Sequence, residues 1–154
     1  MQEPDASADN VMQEMQSLPF PPGMDIKIPP PIFLEMEGKF LSYVSRKELT
    51  VSFPVPERYC NPLGNMQGGV IAAAFDNTFG PLSFLAVRGP TATIDMTTQY
   101  IRPVPLGDTL TITARVVLRG FSTMYMTADG YSKAGKLVAM SSTNMTIIRV
   151  PKRG

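Results

Sequence analysis

The stretch that decides the fold is Asn61-Pro62-Leu63-Gly64-Asn65-Met66-Gln67-Gly68-Gly69-Val70-Ile71-Ala72-Ala73-Ala74-Phe75-Asp76-Asn77. From Val70 to Phe75 every residue is apolar, so a helix starting near Gly68 has no polar face over its first two turns and must be buried on most sides. Gly68 and Gly69 open it, where the absence of Cβ atoms lets another group approach the backbone. A helix start also presents unpaired N–H groups and the positive end of the dipole. Such donors suit a developing oxyanion, although paired glycines serve equally well as turn residues. Asp76 follows about two turns into the helix, beside Ala73, Phe75 and Phe79. A carboxylate buried among such neighbours needs partners, or its pKa rises. Three readings stand open: a functional carboxylate, one hydrogen-bonded to Asn77 or Thr78, or one exposed at a subunit contact. The helix is expected over 68–86. Pro81 cannot donate to the turn before it and is expected to kink or end the helix nearby.

Outward from this segment the patterns are strand-like. Runs 39–45 and 48–55, separated by Arg46-Lys47, predict a hairpin. Runs 91–101, 109–116, 121–132 and 137–150 predict further strands, the second alternating with period two. Short turns between them predict an antiparallel meander. One buried helix on a large antiparallel sheet is an α+β layout, expected to fill 32–154. Residues 1–31 differ. Val11, Met12, Met15 and Leu18 mark one short amphipathic helix, three prolines from Pro19 to Pro22 stop it, and Pro29-Pro30-Pro31 favours an extended segment. This N-terminal arm is expected to be extended or flexible, draped on the surface or closing over a pocket or a neighbouring subunit.

Composition narrows the chemistry. A chain of 154 residues is the size of one domain, and 44% hydrophobic against 18% charged residues suits a packed core rather than disorder. A net charge of +1 gives no reason to expect nucleic acid. The single cysteine, Cys60, rules out an intrachain disulfide and reads as structural. The first ten residues are acidic and polar, so no secretory signal is expected and the cytoplasm is the economical setting. The apolar stretch 70–86 is broken by Asp76, Gly80 and Pro81 and reads as too short and too polar for a membrane span. Histidine is absent altogether. That removes Ser-His-Asp and Cys-His nucleophilic sites, and with one cysteine it removes the usual zinc ligands. Carboxylates, amides, hydroxyls and backbone N–H groups must carry any reaction.

The order Asn-x-x-Gly, then Gln-Gly-Gly, then Asp in the following helix resembles the PaaI-like acyl-CoA thioesterases of the hotdog superfamily. The likeness runs over roughly residues 35–150 and includes the strands at Thr93-Ile94-Asp95-Met96 and Tyr100-Ile101-Arg102-Pro103-Val104. It implies a hotdog fold, a curved antiparallel sheet wrapped around one long central helix, assembled as a homodimer or homotetramer. It implies hydrolysis of an acyl-CoA to a free acid and coenzyme A, with coenzyme A part of the substrate and no cofactor or metal. The Gly68 N–H, helped by the Asn61 side chain, would polarise the thioester carbonyl. Asp76, from the opposite subunit, would act as general base or nucleophile, and Thr93 would orient the water. Many relatives carry histidine where this chain has Gln67. Glutamine can donate a hydrogen bond to the carbonyl or the leaving sulfur but supplies no proton at neutral pH. A thiolate is a tolerable leaving group near its own pKa. Arg88, Arg102 and Arg119 are the candidates for coenzyme A phosphates, since guanidinium geometry suits them. The rival reading is a non-catalytic acyl-CoA or lipid-binding module on the same fold. A hydratase is disfavoured by the missing histidine.

Overall fold

The computed structural model describes residues 8–149. Its elements are α1 (Ala8–Gln16), α2 (Pro31–Glu35), β1 (Lys39–Val44), β2 (Glu48–Pro54), a 3-10 turn at Glu57–Tyr59, α3 (Gly68–Val87), β3 (Thr91–Tyr100), β4 (Thr109–Arg119), β5 (Thr123–Tyr131) and β6 (Leu137–Ile147). The end of the last expected strand, Val150, lies outside the described residues, as do the first seven residues of the arm.

All six strands form one antiparallel sheet in the order β1-β2-β4-β5-β6-β3. The expected meander therefore holds only for β4, β5 and β6. After α3 the chain enters the sheet at its far edge, and β2 pairs with β4 instead. The helix is the cause, because it crosses the sheet and delivers β3 to the side opposite β2. One long helix held in a curved antiparallel sheet is the hotdog fold.

The core is the seam between α3 and the concave face of the sheet. Leu49, Val51 and Phe53 of β2, Leu110, Ile112 and Ala114 of β4, and Met124, Met126 and Ala128 of β5 alternate inward against Phe75, Phe79, Leu82 and Leu85 of α3, all essentially fully buried. Gly130 marks a close approach within that seam. A Cβ there would lie 3.1 Å from the Phe75 ring and 3.2 Å from Leu110. This burial answers the expectation at Pro81: α3 neither ends nor breaks there but runs on to Val87. The lost hydrogen bond is outweighed by apolar residues on both sides, Phe79, Leu82 and Leu85 each fully buried. At 20 residues α3 is, contrary to the sequence expectation, long and apolar enough to cross a bilayer by length and composition. Its packing inside the sheet accounts for that composition.

Within the arm, α1 places Val11 and Met15 in the same core, and Leu18 just beyond it is buried too. Pro30 is extended, but Pro31 begins α2, where its missing N–H is no loss.

The sheet has two edges. β1 is flanked by α1, whereas β3 is exposed along most of its length on both faces. Its pairing with β6 contains a bulge. Thr93 sits opposite Met145, but Asp95 sits opposite Asn144, so one extra residue is inserted at Ile94.

Candidate active site

The loop before α3 is closed on itself. The Asn61 N–H donates to the Asn65 carbonyl at 2.7 Å, and the Asn61 Oδ1 accepts the Leu63 and Asn65 amides at 3.0 and 3.2 Å. That leaves the Asn61 Nδ2 hydrogens without an acceptor among the described residues. Met66 and Gln67 anchor the loop's exit, their N–H groups donating to Val104 and Tyr59 carbonyls at 2.7 and 2.8 Å. Gln67 is the N-cap of α3, yet its exposed side chain makes no capping hydrogen bond. The Gly68 and Gly69 amides, first in the helix, also have no acceptor among the described residues.

Tyr100 closes the other side. Its hydroxyl donates to the Gly68 carbonyl at 2.7 Å, and its ring lies so near that a Cβ at Gly68 would sit 3.3 Å from Cζ. Glycine at 68 is thus explained by close approach. Asn61, Gly68, Tyr100 and Arg102 line an open cleft of about 290 Å³ over the helix start. The Arg102 guanidinium is fixed by donating Nη1 to the Leu137 carbonyl at 2.6 Å.

Asp76 stands elsewhere. Eight residues along α3 place it about 12 Å from Gly68, by the helical rise. It is exposed, not buried as its apolar neighbours suggested. The side it occupies is not covered by the sheet. Asn77 and Thr78 are not its partners, since their side chains donate to the Ala73 and Ala74 carbonyls at 2.9 Å each. Its hydrogen bond comes from Thr93 across on β3, Oγ1 to Oδ1 at 3.0 Å. The carboxylate therefore keeps lone pairs free beside an open sheet edge.

The remaining candidates lie at the other end of the helix. Arg88 terminates α3 in the left-handed conformation, φ 56°, and Arg119 donates Nη1 to the Ala86 carbonyl at 3.4 Å. The structure thus brings Asn61, Gly68 and Arg102 together, pairs Asp76 with Thr93, and sets Arg88 and Arg119 apart from both groups. Sequence reasoning gave Tyr100 no role of its own. The available signal was an aromatic residue at a strand end close to the glycine-bearing segment. Among the described residues no three His, Cys, Asp or Glu side chains gather as a metal site.

Comparison with known proteins points the same way. A family model for the thioesterase superfamily matches residues 63–139, half of the chain. The chain is 34% identical over 87 residues to acyl-coenzyme A thioesterase 13 of Homo sapiens, a match covering 55% of this chain and 62% of that protein's length. To the Mus musculus protein of the same name it is 30% identical over 106 residues, covering 68% of this chain and 76% of the relative. The structure of the E. coli PaaI protein superposes with a TM-score of 0.78 at 19% identity, covering 94% and 97% of the two chains.

Proposed function

The chain belongs to the thioesterase superfamily, and from that membership we propose that it hydrolyses an acyl-CoA to a free acid and coenzyme A. The observation that carries the reading is the split site on α3. Free amide donors sit at its start and a free carboxylate about two turns later, too far apart to meet one carbonyl.

A second copy resolves the separation. Pairing the open β3 edges about a two-fold axis would run two α3 helices antiparallel and set Gly68 of one subunit toward Asp76 of the other. The thioester oxygen would then accept the Gly68 N–H and the Asn61 Nδ2 donors, which favour the charge that builds on it. Asp76 would take a proton from the water that attacks the carbonyl carbon, or attack that carbon itself to form a mixed anhydride that water then hydrolyses, with the Thr93 hydroxyl holding its second oxygen in place. Gln67 would donate to the leaving sulfur, which departs as thiolate. Arg102, beside the same cleft, would meet a coenzyme A phosphate.

The test is thiol release from short, medium, long and aromatic acyl-CoAs. Wild type should turn over at least one, and Asp76→Asn should lose roughly 10²–10⁴ of that rate. Equal rates in the two proteins would reject the role of Asp76, and tight binding with no turnover would favour a binding module. A monodisperse monomer with full activity would sink the two-subunit site.

A further inference from the structure

A second cavity, of about 200 Å³, lies between the arm and α3. Met15, Ile26 and Ile28 line it from the arm, and Gly80 and Phe84 line it from the helix, with Asp76 the one carboxylate in its described wall. Gly80 falls one turn after Asp76 and so on the same face of α3. A Cβ built on it meets nothing within 4 Å, so the missing side chain leaves space there. The arm is fastened over that space. The Gln16 amide donates to the Ile28 carbonyl at 3.2 Å, and the Phe20 ring packs on Phe84 with centroids 5.9 Å apart. The result is a largely apolar, half-open chamber whose wall holds Asp76 together with the polar Lys27 and Asn77.

We propose that this chamber receives the acyl group of the thioester, and that the arm limits that group to an aryl or short-to-medium chain. The inference rests on the hydrolase reading above. A carboxylate that acts at the carbonyl carbon must have the attached acyl group within a few ångströms, and the chamber is the apolar space Asp76 borders. An apolar cavity of about 150 Å³ is filled by one benzene ring. One of about 200 Å³ holds a ring with a methylene or a comparable chain, and a long fatty chain would have to run out through its open side.

The test fills or enlarges the chamber and reads chain-length preference on acetyl-, hexanoyl-, phenylacetyl- and palmitoyl-CoA. Gly80→Leu should lose at least about tenfold in kcat/KM on hexanoyl- and phenylacetyl-CoA, and a clearly smaller factor on acetyl-CoA. Ile28→Ala should shift preference toward longer chains, and it decides the matter if the leucine variant does not fold. A loss in equal proportion across the panel, or unchanged ratios in both variants, would overturn the proposal while leaving hydrolysis intact. If wild type hydrolyses nothing, the hydrolase reading fails and calorimetry decides the chamber. Phenylacetyl-CoA binding more tightly than coenzyme A, with the gain lost in Gly80→Leu, supports it; equal affinities overturn it.

Discussion

Replacing Gly68 by proline would remove the N–H that the proposed chemistry needs and little that the fold needs. That N–H has no acceptor among the described residues, so no structural hydrogen bond is lost. Gly68 is the first residue of α3, the position where proline is best tolerated in a helix. Gln67 before it lies at φ −62°, ψ 140°, the extended region that a residue preceding proline prefers. The cost is the new Cβ, 3.3 Å from the Tyr100 ring, which stands exposed at a strand end and can give by a few tenths of an ångström. Stability should therefore change by less than about 1 kcal/mol. Losing one oxyanion donor should lower kcat by about 10²–10³, equivalent to roughly 3–4 kcal/mol of transition-state stabilisation, with little effect on KM. Gly68→Ala is the matched control, since it makes the same contact with Tyr100 and keeps the N–H. It should stay within about threefold of wild type. Thiol release and denaturant melts on the three proteins measure both quantities. A folded proline variant with near wild-type kcat would refute the reasoning. So would an alanine variant as slow as the proline one, because the loss would then belong to the Tyr100 contact.

Two predictions concern the fold. Phe79→Ala removes a fully buried ring whose centroid lies 6.4 Å from that of Phe75, and should cost about 3–5 kcal/mol in denaturant unfolding; a loss below about 1 kcal/mol would show that the seam can collapse around the gap. Tyr43 is buried, which pushes its phenol above the ordinary value near 10, although the Arg46 N–H donating to its oxygen at 3.0 Å pulls the other way. The folded state therefore holds the neutral phenol more firmly than the unfolded state does. The stability this gives is complete below about pH 10 and lost as pH rises through the folded pKa. Melts from pH 8 to 11 should fall less steeply for Tyr43→Phe than for wild type, and parallel curves would contradict the assignment.

Much of this architecture was legible where local pattern and burial coincide. The apolar run 70–75 marked α3, and β4 alternated as a strand with one buried face must. The place of β3 in the sheet was not legible, because its sequence reads as a strand wherever it sits and pairing partners leave no local trace. The same holds for the arm: Val11, Met15 and Leu18 had helical spacing, but only the assembled sheet supplies the surface that buries them. At the site, helix geometry alone separated Gly68 from Asp76. Exposure was one of the three readings open for Asp76, and the sequence could not choose it, since its neighbours Phe75 and Phe79 face the sheet while it faces away.

The extra residue at Ile94 has a consequence for how this chain can vary. Thr93 and Tyr100 are seven positions apart, and in an uninterrupted strand an odd separation puts two side chains on opposite faces. Both nevertheless reach α3, one holding Asp76 and the other the Gly68 carbonyl. They do so because the bulge shifts the parity once between them: Thr93 pairs with Met145 and Tyr100 with Ala139, two inward-facing residues of β6. The strand thus behaves as a counter with a single carry. Deleting Ile94 would remove the bulge itself and leave the two residues six positions apart on one face, so both contacts survive, whereas inserting one residue beyond the bulge would turn one of the two outward without touching either side chain. A one-residue deletion at the bulge should therefore be tolerated where a one-residue insertion beyond it is not.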